Sequence, residues 1–182
     1  MNALRNLILF IIVSALALII FAWYSGVFSK AVVRVEFMEP FVAAYQDEIG
    51  EYSETREVQD SLYNLLWEDA IENYKTFGIF YDDPRTTDIK KMHSRVGCIV
   101  EKSYIQKIEK LASKYKIFRF ERQQCALVEI PFKNTFSIYA GIYKAYPLLK
   151  EYADENGYKP EPIIEIHNIP KKILFFMPLV KK

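Results

Sequence analysis

An uninterrupted apolar run near the amino terminus constrains this chain more than any other feature. From Leu7 to Tyr24 the only polar interruption is Ser14. As an α-helix, such a run would span most of a hydrocarbon core about 30 Å thick. Trp23 and Tyr24 fall where an interfacial aromatic belt would lie. We therefore predict a single-pass transmembrane helix, with residues 1–29 forming an N-terminal anchor and a short linker.

A cleaved signal peptide is the alternative to an anchor. Signal peptides usually have an apolar core of about 7–15 residues followed by a small-x-small cleavage site. Here the run is longer, and Ala22-Trp23-Tyr24-Ser25-Gly26 is a poor site. Charge does not choose the orientation of the anchor, because Arg5 flanks one side while Lys30 and Arg34 flank the other.

Charge and cysteine usage exclude several functions for the remaining segment. The 182 residues include 24 Lys+Arg and 23 Asp+Glu, and this balance argues against a nucleic-acid partner, which needs a basic face. Cys98 and Cys125 lie among apolar neighbours, so we expect two reduced, buried thiols. His93 and His167 are the only histidines. No metal site and no cofactor are predicted, because zinc-binding and nucleotide-binding motifs are absent.

Residues 30–182, about 150 in number, are predicted to form one α+β domain. Hydrophobic periodicity gives the order strand-strand-helix-strand-strand, a helical insert, and the same five elements again. This predicts a duplicated β-β-α-β-β domain, with a pocket at the seam between its halves. One short sequence similarity, which we call the echo, aligns residues 78–84 with residues 164–170. It matches Ile79 with Glu165 and Tyr81 with His167. The predicted strands are 31–37, 41–49, 77–81, 96–100, 116–122, 125–131, 160–167 and 173–179, and the helices are 53–71 (capped by Ser53), 104–115 and 135–156 (with a kink or break at Pro147).

Two polar residues of the penultimate strand are the strongest candidates for a site. Ile164 and Ile166 alternate with Glu165 and His167, which is the pattern of a strand with two distinct faces. The carboxylate and the imidazole therefore point the same way. On an outward face they would be ordinary solvated residues, and in a cleft they would be polar anchors of a binding site. The two C-terminal strands contain no Lys or Arg until the turn at Lys171, so we expect no local cation to neutralise Glu165.

Six motifs occur in a fixed order along the chain: Val35-Glu36-Phe37, Ala43-Ala44-Tyr45, Ile49-Gly50-Glu51-Tyr52, Phe77-Gly78-Ile79-Phe80-Tyr81-Asp82-Asp83-Pro84, Glu165-Ile166-His167 and Met177-Pro178-Leu179. Together they resemble the GyrI-like small-molecule-binding family, which belongs to the superfamily of multidrug-regulator effector-binding and SOUL haem-binding domains. A second set follows the apolar run: Tyr24-Ser25-Gly26, Tyr81-Asp82-Asp83-Pro84, Val96-Gly97, Phe136-Ser137-Ile138, Tyr146-Pro147-Leu148, Glu165-Ile166 and Met177-Pro178-Leu179. This set is more similar to the membrane-anchored branch of the family, that of the testis-expressed ER-phagy receptor.

The resemblance implies a duplicated, SHS2-type GyrI-like fold with a central cleft, and a cytoplasmic location for the soluble domain. In the family a Glu of the penultimate strand is a pocket residue associated with lipophilic cations, and Glu165 matches it. Family members often have Tyr where this chain has His167. The further ligand-binding candidates are aromatic: Tyr81, Tyr45, Tyr139 and Trp67, each of which could instead be a core or rim residue.

Three functions stay open from the sequence. The first is a membrane-tethered protein that binds a small apolar or cationic ligand in the cleft. The second is a hydrolase of reactive electrophiles in which Glu165 is the catalytic residue, because one branch of the family is credited with such hydrolysis. The third is an adaptor or structural membrane protein with a vestigial cleft. Haem binding is weakly supported, because His167 beside Glu165 is a poor axial-ligand signal.

Overall fold

The computed structural model describes residues 2–82 and 86–182. It confirms an α+β chain with an apolar N-terminal helix. The helices are α1 (Asn2–Tyr24), α2 (Thr55–Glu68), α3 (Ile105–Lys110) and α4 (Phe136–Glu155). The strands are β1 (Arg34–Met38), β2 (Phe41–Ile49), β3 (Lys75–Phe80), β4 (His93–Val100), β5 (Lys116–Phe120), β6 (Gln123–Pro131), β7 (Ile163–Asn168) and β8 (Lys172–Pro178).

All eight of these strands belong to one antiparallel sheet, in the order β1-β6-β8-β7-β3-β4-β2-β5. The order reads the same from the opposite end when β1–β4 are exchanged for β5–β8. The β3–β7 pair lies at the middle of this order, and we call it the seam. We call the elements from β1 to β4 the first half and those from β5 to β8 the second half. Because β3 of the first half pairs with β7 of the second at the seam, both halves contribute residues to each face of the sheet there.

The sheet curls around an inner apolar cluster. Phe120 on β5 and Phe176 on β8 lie five positions apart in the strand order, yet their ring centroids are 5.4 Å apart. Phe77 of the first half also belongs to this cluster, as does Leu127 of the second. The curl therefore buries one face of both halves against each other and leaves the opposite face for the helices.

Both long helices of the domain cover that opposite face. Leu62 and Leu66 of α2 pack with Cys98 and Val100 of β4, and α4 packs on β6 and β8. The 3/4 spacing of apolar residues predicts these buried sides of α2 and α4, because it places apolar residues on one side of a helix. Since α2 and α4 cover strands on either side of the centre, the seam runs between them.

Two local expectations were wrong. Ser53 does not cap α2, because Tyr52–Glu54 forms a 3-10 turn and α2 begins at Thr55, whose hydroxyl donates to the Tyr52 carbonyl at 2.7 Å. The break expected at Pro147 does not occur, because α4 is continuous across this residue, whereas a kink there stays a prediction. Pro147 is exposed, and there water can hydrogen-bond a helix carbonyl that has lost its donor.

Helix α1 carries large apolar side chains that are exposed along most of its length. Its segment Ala3–Tyr24 is long and apolar enough to cross a membrane. Signal sequences and the core helices of soluble proteins also reach this length and apolarity. The predicted division at residues 29 and 30 therefore stays a prediction.

Candidate functional site

The seam places polar side chains on the helix-covered face of the sheet. Gly78 of β3 pairs with Glu165 of β7, and Thr76 pairs with His167. Directly opposed residues of antiparallel strands project to the same face. These four residues therefore lie on the strip of the sheet between α2 and α4. We call this strip the groove and the four residues its floor.

Glu165 is the acidic residue of this floor, and it is buried, with 2% of its surface exposed. The Tyr146 hydroxyl donates to its Oε1 at 2.7 Å, and His167 Nε2 lies 3.0 Å from its Oε2. Burial, followed by the nearby Glu165 carboxylate, raises the pKa of Tyr146 well above its ordinary value. The phenol therefore stays protonated and remains a donor to the carboxylate.

The sequence predicts no Lys or Arg of the two C-terminal strands beside Glu165, and the partners found are a phenol and an imidazole. The sequence did not predict the phenol, which comes from α4. The alternation of Glu165 and His167 was right in placing both side chains on one face. With a proton on Nε2, His167 donates to the carboxylate and keeps Nδ1 as an acceptor.

An open cavity of about 240 Å³ lies at one end of the groove. It includes His167 and Thr76 from the floor, but not Glu165. The lining surface is mainly apolar. Its residues come from α2, the segment before β3, the strands β3 and β7, and the β7–β8 turn: Tyr63, Asn73, Tyr74, Lys75, Thr76, His167 and Ile169. His167 thus connects the buried carboxylate with the cavity.

The α2 side of the groove differs in chemistry from the α4 side. Gln59 Nε2 donates to the backbone carbonyl of Phe77 at 2.9 Å, so α2 contacts the seam through a neutral amide. Gly78 contributes no side chain beside Glu165. A Cβ at Gly78 would lie 2.8 Å from the Phe80 ring, so the glycine also leaves room for that ring.

Tyr45 and Tyr81 are not brought to Glu165. Tyr45 packs against the inner cluster on the opposite face of the sheet, where the Arg95 guanidinium lies 4.2 Å from its ring centroid. Arg95 also pairs with Asp47 at 2.9 Å. Burial raises the pKa of Tyr81, an effect that the nearby Arg95 opposes. The Asp83-Pro84 part of the motif around Tyr81 lies outside the described residues.

Trp67 and Tyr139 lie on the outer surfaces of the two long helices. Trp67 is 55% exposed and stacks on Tyr63, with ring centroids 6.4 Å apart, so it adjoins the cavity through a lining residue. Tyr139 is 64% exposed, and its ring contacts Phe136. Neither aromatic ring lines the cavity.

The structure adds Tyr146, Tyr63 and Asn73 to the candidate site. Tyr146 follows Ile142 by one helical turn, so helical spacing could have placed it near the sheet. The echo that aligned Ile79 with Glu165 was wrong, because Ile79 belongs to the inner cluster while Glu165 faces α4. Register instead places Gly78 at the position opposite Glu165.

Metal ligands do not cluster in the described part of the chain. Across residues 2–82 and 86–182, no three His, Cys, Asp or Glu side chains come together in a way that could hold an ion. Glu165 and His167 are a pair, and their neighbour Tyr146 is a phenol. The polar groups that the floor and α4 bring together are thus the side chains of Glu165, His167 and Tyr146, each of which forms hydrogen bonds.

Solved structures share this fold, although no protein-family model and no curated protein matches the chain. The EcmrR C-terminal domain superposes with a TM-score of 0.58 at 11% identity, covering 84% of this chain and 99% of that one. The DNA-bound EcmrR chain gives 0.59 at 9% identity, also over 84% of this chain. This chain spans only 58% of the length of that longer one.

Two further neighbours have a TM-score of 0.50. SAV2435 bound to tetraphenylphosphonium has 8% identity, with 81% of this chain and 93% of that chain covered. A hydrolase from Listeria innocua has 12% identity, with 81% and 90% covered. The EcmrR domain and SAV2435 have GyrI-like, effector-binding folds. At identities of 8–12% the likeness of this chain to all of these structures concerns the fold alone.

Proposed function

We propose that this protein is a small-molecule-binding protein whose ligand lies in the groove between α2 and α4. The observation that carries the proposal is the buried Glu165, held by Tyr146 and His167 beside an apolar cavity of about 240 Å³. Apolar cavities with a few convergent polar groups are the usual form of ligand sites. The symmetric strand order supports a duplicated β-β-α-β-β domain, with this groove as the cleft at its seam.

The proposed ligand is apolar and carries a cation or a hydrogen-bond donor. A carboxylate accepts several hydrogen bonds, so Glu165 keeps acceptor capacity beyond its two present partners. Aromatic rings such as Tyr63 and Tyr74 offer flat surfaces that suit apolar or cationic groups. The bound tetraphenylphosphonium of SAV2435 supports this ligand class by analogy of fold. Rotation of His167 would connect such a ligand in the cavity with Glu165.

The tether is the second part of the proposal. Residues 1–29 form a single-pass membrane anchor with its linker, and residues 30–182 form the binding domain. The exposed apolar surface of α1 supports insertion, because such a surface is costly in water. The sequence motifs favour the membrane-anchored branch of the GyrI-like family, with the domain on the cytoplasmic side.

A hydrolase is the second candidate, because Glu165 and His167 are in contact and one structural neighbour is a hydrolase. In that reaction Glu165 would position or activate water for attack on an electrophile. Its burial away from the cavity is less favourable for this role than for ligand binding. An adaptor with a vestigial cleft is the remaining alternative.

Tetraphenylphosphonium is the probe that tests the proposal. Binding is measured by calorimetry on the full chain in lipid nanodiscs, with empty nanodiscs subtracted. Glu165→Gln should weaken binding by about 1–3 kcal/mol, because a charged partner is lost. Glu129→Gln is the matched control, because Glu129 lies on β6, outside the floor, and its carboxylate accepts a hydrogen bond from Lys172 of β8.

The outcomes separate the three functions. Specific binding that falls only in Glu165→Gln, with the probe recovered unchanged, supports the binding protein. Turnover of an epoxide that Glu165→Gln abolishes, with apolar binding retained, supports the hydrolase. If neither binding nor turnover responds to the substitution, the proposal is wrong and the adaptor is favoured.

A further inference from the structure

The outward surface of α4 is divided into two chemically different parts. Over residues 136–147 its exposed residues are Phe136, Tyr139, Tyr143 and Pro147, none of which is charged. After them the exposed residues are Lys150, Glu151, Asp154 and Glu155. A solvated helix surface normally carries charged and polar residues. The amino-terminal part of α4 therefore differs from an ordinary solvent-facing surface.

Three aromatic residues, Phe136, Tyr139 and Tyr143, form what we call the aromatic stripe. Their spacing of three and four places them along one side of the helix. They are between 56% and 83% exposed. The opposite side of α4, with Gly141 and Ala145, is buried against the sheet. The aromatic stripe is thus not part of the domain core.

The linker after α1 is fixed against this same part of α4. Asn134 Nδ2 donates to Ser25 Oγ at 2.9 Å, and Ser137 Oγ donates to the Ser25 carbonyl at 3.1 Å. About two helical turns beyond Ser137, Lys144 Nζ donates to the carbonyls of Gly26 and Ser29 at 2.9 and 2.7 Å. These bonds hold the end of α1 at a defined place beside α4.

The stripe begins where α1 ends. Phe21, in the last turn of α1, makes an edge-to-face contact with Phe136 at 5.1 Å between ring centroids. The same end of α1 exposes Trp23 and Tyr24, and the linker exposes Phe28. Aromatic ring contacts therefore run from Phe21 at the end of α1 through Phe136 to Tyr139 on α4.

We propose that the aromatic stripe is a second membrane contact, which lies in the interfacial layer of the bilayer entered by α1. The inference rests on the proposed tether. Tyr and Trp concentrate at membrane interfaces, where the ring meets acyl chains and the polar group meets water. The Phe21–Phe136 contact sets the stripe at the depth of the last turn of α1. The charged exposed residues beyond Pro147 mark where α4 leaves the lipid.

The ligand of this surface is the boundary between phospholipid headgroups and acyl chains. The stripe carries no charge of its own, so zwitterionic phosphatidylcholine is sufficient and anionic lipid is not required. The contact would hold α4 in a fixed orientation to the membrane. Tyr146, whose hydroxyl donates to Glu165, is also on α4. The same helix would therefore contact both the membrane and the groove.

Fluorescent labelling of the full chain in phosphatidylcholine vesicles tests this inference. The environment-sensitive NBD group is attached to single introduced cysteines in the variants Tyr143→Cys, Glu151→Cys and Ser14→Cys. Native Cys98 and Cys125 are buried, with pKa values raised to about 12, so they resist labelling. Phosphatidylcholine with a doxyl quencher near the headgroup, or deep in the acyl chain, reports depth.

We expect the shallow quencher to reduce emission at position 143 several-fold more than at position 151. The deep quencher should act at position 14, which reports insertion of α1 independently. Quenching at 14 with none at 143 overturns the stripe and leaves the tether intact. No quenching at 14 overturns the tether. A blue-shifted but unquenched label at 143 also overturns the inference, because a second copy or another protein would then cover the stripe.

Discussion

The two halves of the domain share an order of elements but differ in chemistry where they meet. On the β7 side of the seam, Glu165 receives a hydrogen bond from Tyr146 of α4. On the β3 side the opposed residue is Gly78, and Gln59 of α2 donates only to a backbone carbonyl. The same arrangement therefore places an acidic side chain on one side of the seam and a glycine covered by the Phe80 ring on the other.

The long helices differ in the residues that they place against the sheet. α2 packs through Leu62 and Leu66, which fill the space above β4. α4 presents Gly141, where an added Cβ would lie 2.6 Å from the Phe175 ring. A close approach brings the α4 backbone near the floor, which suits the hydrogen bond from Tyr146 to Glu165. Asymmetry in two positions thus accounts for much of the difference between the halves.

The largest effect on this comparison should come from Tyr146→Phe. Removing the hydroxyl leaves an oxygen of the buried Glu165 without that donor, so the free energy of unfolding at pH 7 should fall by about 3 kcal/mol. Gln59→Leu is the matched change on the α2 side and should cost less than about 1 kcal/mol, because its acceptor is a neutral carbonyl. Chemical denaturation measures both, and equal losses would contradict the asymmetry.

Gly141→Ala should have a smaller effect, a loss of about 2 kcal/mol. The new Cβ meets the fully buried Phe175, and overpacking a core usually costs about 1–3 kcal/mol. Alanine is the better helix former, so the sign of the change is informative. Ser61→Ala, at an exposed position of α2, is the control and should be neutral or slightly stabilising. A stabilised Gly141→Ala variant would show that α4 does not need its close approach.

The smallest effect should be the alkaline titration of the two thiols. Burial raises the pKa of Cys98, beneath α2, and of Cys125, in the inner cluster, from 9.0 to about 12. The unfolded chain ionises first, so their contribution to stability is complete below pH 9 and is lost as pH rises toward 12. Each thiol should account for about 1 kcal/mol at roughly pH 10.

A Cys98→Ala/Cys125→Ala variant checks this pH dependence, because its stability should fall less steeply above pH 9. Thiol titration gives a second readout: neither thiol should react rapidly in the native chain, and both should react after denaturation. Fast native labelling of one thiol alone would show that its half of the domain opens more readily.

Local pattern was enough to predict most elements of this chain. The alternation of Ile164 and Ile166 with Glu165 and His167 predicted their strand and their shared face, because strand periodicity depends only on neighbouring residues. The 3/4 spacing of apolar residues likewise predicted the long helices. The length and composition of the Leu7–Tyr24 run predicted α1 for the same reason.

Only the tertiary structure decided which residues meet. Tyr146 reaches Glu165, and Tyr45 lies on the opposite face, because strands far apart in sequence pair in one register and the sheet curls in one direction. A shift of one residue reverses the face of every side chain, which is why the echo between Ile79 and Glu165 misled. The sequence determined the elements and their apolar faces through short-range periodicity. Long-range pairing alone decided that the buried carboxylate faces α4.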